Sequence, residues 1–133
     1  MPSPSNPRPL AALQLLRSVW FWRVLLALLV CVVAYLALTP EPPSDMATGW
    51  DKVKHMMAFS TLAVCAQFSG LRTRWPLMLA MAGLLAFGGA IEVIQPEVGR
   101  NAEWADLLAD AVGILAGTSA ALWLSRSRLM RKA

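Results

Sequence analysis

The sequence predicts an all-α integral membrane protein: four transmembrane helices in a small antiparallel bundle, with both termini in the cytoplasm. Three observations predict it. The 133 residues are 57% hydrophobic and 15% charged, with a mean hydropathy of +0.53. A soluble fold this small leaves too much of its chain exposed to bury that apolar surface, whereas a bilayer solvates it. Four apolar runs, 20–38, 55–71, 75–94 and 104–124, each approach the roughly 20 residues that cross a hydrocarbon core of about 30 Å. Finally, the six tryptophans, Trp20, Trp22, Trp50, Trp75, Trp104 and Trp123, all fall at or beside the ends of those runs, and Tyr35 lies near one. An indole ring prefers apolar surroundings while its N–H wants a polar partner, and the membrane interface supplies both.

Residues 1–18 form a disordered or interfacial tail. Pro2, Pro4, Pro7 and Pro9 exclude a helix at its start, and 10–18 reads as a short interfacial helix broken by Arg17. Residues 19–125 are the membrane domain, and 126–133 a basic cytoplasmic tail. The first apolar run is interrupted by Arg23, close enough to its start to reach the interface. It is longer than a signal-peptide core, and Ala37-Leu38-Thr39 is a poor cleavage site, so it reads as a retained helix. The second run is the shortest and carries Gln67 and several hydroxyls. The third is rich in Leu, Ala, Met and Gly and stops at Pro96.

Charge gives the orientation. With four crossings, Arg8, Arg17, Arg23, Arg72, Arg74, Arg126, Arg128, Arg131 and Lys132 share one side, while Lys52, Lys54 and Arg100 stand on the other. The positive-inside rule makes the first side cytoplasmic and the loops 39–54 and 95–103 extracytoplasmic. The net charge of +4 therefore reflects topology and anionic lipid headgroups. No dense basic stripe with interleaved aromatics exists, so nucleic-acid binding is not expected. Cys31 and Cys65 lie inside apolar runs at no metal or redox spacing and read as packing residues.

In the last helix, Ala105, Ala109, Gly113, Gly117 and Ala121 recur every four residues and form a ridge of small side chains. Such a ridge lets helix backbones approach closely in lipid. The third helix offers Ala82, Ala86 and Ala90 with Gly88 and Gly89, so a tight antiparallel pair of the third and fourth helices is expected. A self-associating face is the alternative.

The polar residues gather at the extracytoplasmic end. Asp51, Lys52, Lys54 and His55 open the second helix; Glu92 and Gln95 close the third; Arg100 follows; Asp106 and Asp110 lie one turn apart on the fourth. Intramembrane ionisable groups are costly, so their convergence marks a candidate site. Individually each has a structural account: Asp51 as an N-cap, Asp106 in a helical first turn, Arg100 in an ion-pair network. The carboxylates and His55 suit a hard cation, but no spacing matches a metal signature, so no metal or cofactor is expected. A His–Asp pair could act as general base, yet no nucleophile stands beside it. Arg100 with Lys52 could hold a phosphate or carboxylate.

The Asp51-Lys52-x-x-His55 opening, Glu92-x-x-Gln95, Arg100, and Asp106 followed by Asp110-x-x-Gly113 and Gly117 resemble the VanZ-like membrane protein family over residues 45–122. Asp110 stands where that family usually has Asn. The resemblance implies a bacterial inner-membrane protein of the cell envelope, and the family's founding member is associated with teicoplanin resistance. The expected role is an envelope accessory protein that binds an anionic lipid headgroup or cell-wall precursor, more a binding protein than an enzyme. A membrane enzyme using His55 and a purely structural bundle are the alternatives.

Overall fold

A computed structural model describes residues 18–40, 50–71 and 73–130. Among them the protein is helical without strands: α1 (Val19–Leu38), α2 (Trp50–Phe68), α3 (Arg74–Ile94), a 3-10 turn (Gln95–Val98) and α4 (Trp104–Met130). The tail expected over 1–18 lies outside the described residues except for Ser18, and of 126–133 the last three residues do so. Residues 126–130 continue α4.

Three helices are long and apolar enough to cross a bilayer: Val19–Leu38, Arg74–Val98 and Trp104–Ser127. The 19-residue α2 is less apolar, because it starts at Trp50 rather than at His55 and so takes in Asp51, Lys52 and Lys54. Asp51 is consequently inside the first turn, where its charge suits the helix dipole, and is not the N-cap. Burial explains how α2 tolerates this composition. Phe59, Leu62, Ala63, Cys65, Ala66 and Gln67 are each no more than 3% exposed, so neighbouring helices rather than the surroundings solvate this one. By contrast α1 has no fully buried residue. It lays Leu26, Leu29, Val30, Val33 and Ala37 on the core and turns Val24, Leu28 and Val32 outward.

Successive helices alternate in direction. Trp22 stacks on Phe68 at 4.9 Å and Arg23 Nε donates to the Ser69 carbonyl at 3.2 Å, so the start of α1 meets the end of α2. Arg23 therefore serves a carbonyl in the turn beyond α2, with its guanidinium 5.2 Å from the Trp20 ring.

The small-residue ridge packs on α2, which corrects the expected pairing of α3 with α4. A Cβ at Gly113 would collide with the Met56 carbonyl oxygen, and one at Gly117 with that of Ser60. Two glycines four apart thus face two carbonyls four apart, which makes α2 and α4 a parallel pair in direct backbone contact. Association of this kind depends on close packing and weak Cα–H···O contacts. Ala121 on the same ridge is fully buried, while Ala105 and Ala109 are half-buried. On α3, Ala82, Ala86 and Ala90 are exposed. That helix buries Leu84, Gly88, Ile91 and Glu92 instead and leaves Met78, Leu79, Leu85 and Val93 exposed.

Candidate functional site

The parallel α2–α4 contact aligns the polar starts of the two helices. Met56 meets Gly113, so the residues just before each come together: His55 with Asp110, and Lys52 with Asp106. His55 Nδ1 lies 3.0 Å from Asp110 Oδ1. With Asp110 as the acceptor, Nδ1–H is the donor and Nε2 is the ring nitrogen left for another partner. Asp110 is completely buried. Its Oδ2 lies against Gly88 of α3, where a Cβ would collide with it and would also come within 3.2 Å of Phe59 Cζ. Gly88 thus packs α3 directly against the pair, and the α3 glycine creates space for an α4 acid.

Further out, Glu92 of α3 accepts a hydrogen bond from the Glu103 N–H through Oε2, at 2.8 Å. This satisfies a backbone donor at the start of α4 and places negative charge at its positive end. Lys52 Nζ donates to Glu103 Oε2 at 2.8 Å and stands 3.9 Å from Asp106 Oδ1. Lys54 reaches Asp51 at 3.4 Å on the exposed rim. One ring nitrogen of His55 and one carboxylate oxygen each of Asp51 and Asp106 lie within 4.8 Å of one another.

Two candidates serve the neighbouring helix. Gly99, with φ of 77°, ends the 3-10 turn and directs Arg100 back over α1. Arg100 Nη1 donates to the Thr39 carbonyl at 3.2 Å and, more weakly, to that of Leu36 at 3.5 Å. Gln95 Nε2 donates to the Ala37 carbonyl at 3.3 Å. The last carbonyls of a helix have no partner within it, and these two side chains supply donors there.

Asp51, Lys52, His55, Glu92, Asp106 and Asp110 are therefore brought together, while Gln95 and Arg100 fix α1 beside them. Glu103 and Gly88 are the members that the motif reading passes over. Glu103 stands three residues before Asp106, a spacing that places two acids on one turn. The Gly88-Gly89 pair gives no sign of which glycine faces an acid.

The arrangement is rich in acceptors. Glu92 Oε1, Gln95 Oε1, Asp106 Oδ1 and Asp110 Oδ2 are buried and accept no hydrogen bond among the described residues. A buried acceptor without a donor costs about 1–3 kcal/mol. Among the described residues six carboxylates (Asp51, Glu92, Glu97, Glu103, Asp106 and Asp110) share this end with Lys52, Lys54 and Arg100, although the chain as a whole carries +4. The interior of the site is thus an acidic well, with Lys52 and Lys54 on its rim. No known family model matches the chain, and no curated protein or solved structure matches it either.

Proposed function

We propose that this chain is a VanZ-like protein of the bacterial inner membrane that binds the phosphorylated headgroup of an envelope lipid or cell-wall precursor. In this reading all four helices cross the membrane, both termini are cytoplasmic and the acidic well opens on the outer face. The distribution of basic residues and the exposed tryptophans at helix ends support that topology. The order of the Asp51, His55, Glu92, Gln95, Arg100, Asp106 and Asp110 motifs supports the family assignment.

The observation that carries the binding reading is the set of four buried oxygens without donors at one end of the bundle. A structural network would satisfy its own members, since each unpaired buried group subtracts from stability. A site that receives a guest leaves partners open, and these oxygens call for donors, which the hydroxyls or ammonium of a phosphorylated headgroup supply and its phosphate does not. Lys52 and Lys54, with side chains 44% and 71% exposed, stand where a phosphate entering from the rim would meet them.

The test is native mass spectrometry of the protein from nanodiscs containing phosphatidylglycerol and phosphatidylethanolamine, with glycopeptide susceptibility measured in cells with and without it. Selective retention of a phosphorylated lipid, reduced when Lys52 and Lys54 are both changed to Ala, is the expected result. Unselective retention together with unchanged susceptibility would leave the structural reading in its place. The His55–Asp110 pair favours a second reading, catalysis with His55 as acid/base. Its distinguishing result is a lipid product that disappears in a folded His55→Ala variant.

A further inference from the structure

We propose that Asp51, His55 and Asp106 form a site for one divalent transition cation, Zn2+ or Mn2+, with Asp110 orienting the imidazole from behind. The inference rests on the acidic well being a ligand site, and it names what occupies the floor of that well.

Geometry is the first support. Ligands of a single ion sit about 2.0–2.6 Å from it, so any two are at most about 5 Å apart. The three donor atoms, within 4.8 Å of one another, meet that condition without movement of a helix. Asp51 and His55 are four residues apart on one face of α2, and the parallel glycine contact brings Asp106 of α4 beside them.

Asp106 is the second support, independent of the cluster's shape. It is only 4% exposed, yet its Oδ1 accepts no hydrogen bond among the described residues, and Lys52 Nζ is 3.9 Å away. Lys52 itself is engaged at 2.8 Å with Glu103. A buried carboxylate in this position calls for a positive partner. An ion bound between Asp106, His55 and Asp51 provides it.

The third support is the imidazole. With Nδ1 engaged by Asp110 Oδ1, Nε2 is the ring nitrogen left for a metal, and in the neutral ring it carries the lone pair that a metal takes. Metal-bound histidines commonly donate their other ring nitrogen to a carboxylate, which raises the ligand's basicity and holds the ring in place. The donor set of one imidazole and two carboxylates suits Zn2+ or Mn2+ better than Mg2+ or Ca2+, which prefer oxygen throughout. Three protein ligands leave coordination positions free. The half-exposed Asp51 puts these on the rim side, near Lys52 and Lys54. A phosphate oxygen entering there could complete the ion's shell, which explains how an acidic well accepts an anionic headgroup.

The test uses the full chain, purified in detergent and stripped with EDTA, titrated with ZnCl2 and MnCl2 by isothermal titration calorimetry. No headgroup is added, so failure of the headgroup reading does not affect the result. One saturable site per chain is expected. Asp51→Asn, at a half-exposed helix start where folding is undisturbed, should weaken binding by at least about 10-fold, and Asp110→Asn by about 10- to 100-fold. His55→Gln should weaken it further and alter the visible spectrum of the Co2+-loaded protein. Ser125→Ala, at the far end of α4, should bind as the parent does. Absence of saturable binding by the parent chain overturns the proposal, as does undiminished affinity in Asp51→Asn and His55→Gln. Saturable metal binding with lipid retention indifferent to the metal would uphold the ion site while removing the headgroup.

Discussion

His55 of α2 and Asp110 of α4 are joined by a 3.0 Å hydrogen bond across two parallel helices, with the acid fully buried. Because Gly88 of α3 closes on the other carboxylate oxygen, the pair also reports the position of a third helix. Removing one member leaves the other buried without its partner, which typically costs about 3–5 kcal/mol, whereas an apolar replacement of both is much less damaging. Asp110→Ala should therefore destabilise the detergent-solubilised protein by about that amount. The His55→Leu/Asp110→Leu double variant should recover most of the loss. Chemical unfolding followed by circular dichroism measures both, and additive losses in the double variant would show that the two side chains are not coupled.

The glycine contact makes a prediction with an internal control. Gly113 and Gly117 have backbone carbonyls where a Cβ would go, and backbone cannot move aside as a flexible side chain can. Gly113→Val and Gly117→Val should each cost about 3 kcal/mol or more, at or above the usual range for overpacking. Gly83 has nothing within 4 Å of the same position. Gly83→Ala should be neutral or stabilising by up to about 1 kcal/mol, since alanine is the better helix former. Thermal unfolding of the three variants under one detergent condition checks the contrast.

Much of this fold is visible in the residues, for identifiable reasons. Helix starts are marked by Trp20, Trp75 and Trp104, all at least 70% exposed, because an interfacial residue is selected by position and does not depend on a particular neighbour, whereas α4 runs seven residues past Trp123. The convergence of Asp51, His55, Asp106 and Asp110 is likewise legible from their places at helix ends. Pairing is not. The Gly113–Gly117 ridge fits any helix that offers a smooth backbone, and α3 has the more obvious small residues. Its alanines nevertheless face outward, while Met56 and Ser60 contribute carbonyls that every residue possesses. The placement of Arg100 and Gln95 beside α1 is illegible for a similar reason. A guanidinium or amide satisfies a helix's last carbonyls as well as it satisfies a ligand, and the preference depends on α1 lying beside the 3-10 turn.

Gly88 offers a subtler perturbation of the site. Gly88→Ala adds one methyl where Asp110 Oδ2 now sits, so the carboxylate must rotate or α3 must withdraw. Stability should fall by about 1–3 kcal/mol, the usual cost of forcing an extra carbon into a packed position. The more specific sign is at His55, whose hydrogen bond to the displaced acid should lengthen. A change in the His55 ring 15N chemical shifts, absent from Gly89→Ala, would report it. Gly89 is the appropriate comparison because a Cβ there makes only an ordinary contact, with Leu107 Cδ1 at 4.0 Å.

Donors from the 3-10 turn hold α1 against the rest of the bundle at its C-terminal end. Arg100→Ala removes the donor to the Thr39 and Leu36 carbonyls, leaving Gln95 to serve Ala37. Hydrogen bonds to a charged donor contribute about 1.5–3 kcal/mol, so the end of α1 should loosen by an amount of that order while α2 and α4 keep their contact. Hydrogen–deuterium exchange should accelerate at residues 36–40 and stay constant around Gly113 and Gly117. A uniform rise across all four helices would mean that Arg100 supports the whole bundle and not one helix end.

Topology makes the last prediction. Trp104 and Trp123 are both exposed on α4, and the 19 helical steps from one to the other span about 29 Å, close to a hydrocarbon core of about 30 Å. If these rings mark the two interfaces, Asn101 lies outside one and Ser127 beyond the other. With Cys31 and Cys65 replaced by Ala, a membrane-impermeant maleimide applied to intact spheroplasts should label the Asn101→Cys variant and spare the Ser127→Cys variant. Lysis should expose the latter. The reverse pattern would place the acidic well in the cytoplasm, where the supply of ions and phosphorylated ligands differs. Labelling of both before lysis would show that α4 does not cross the membrane.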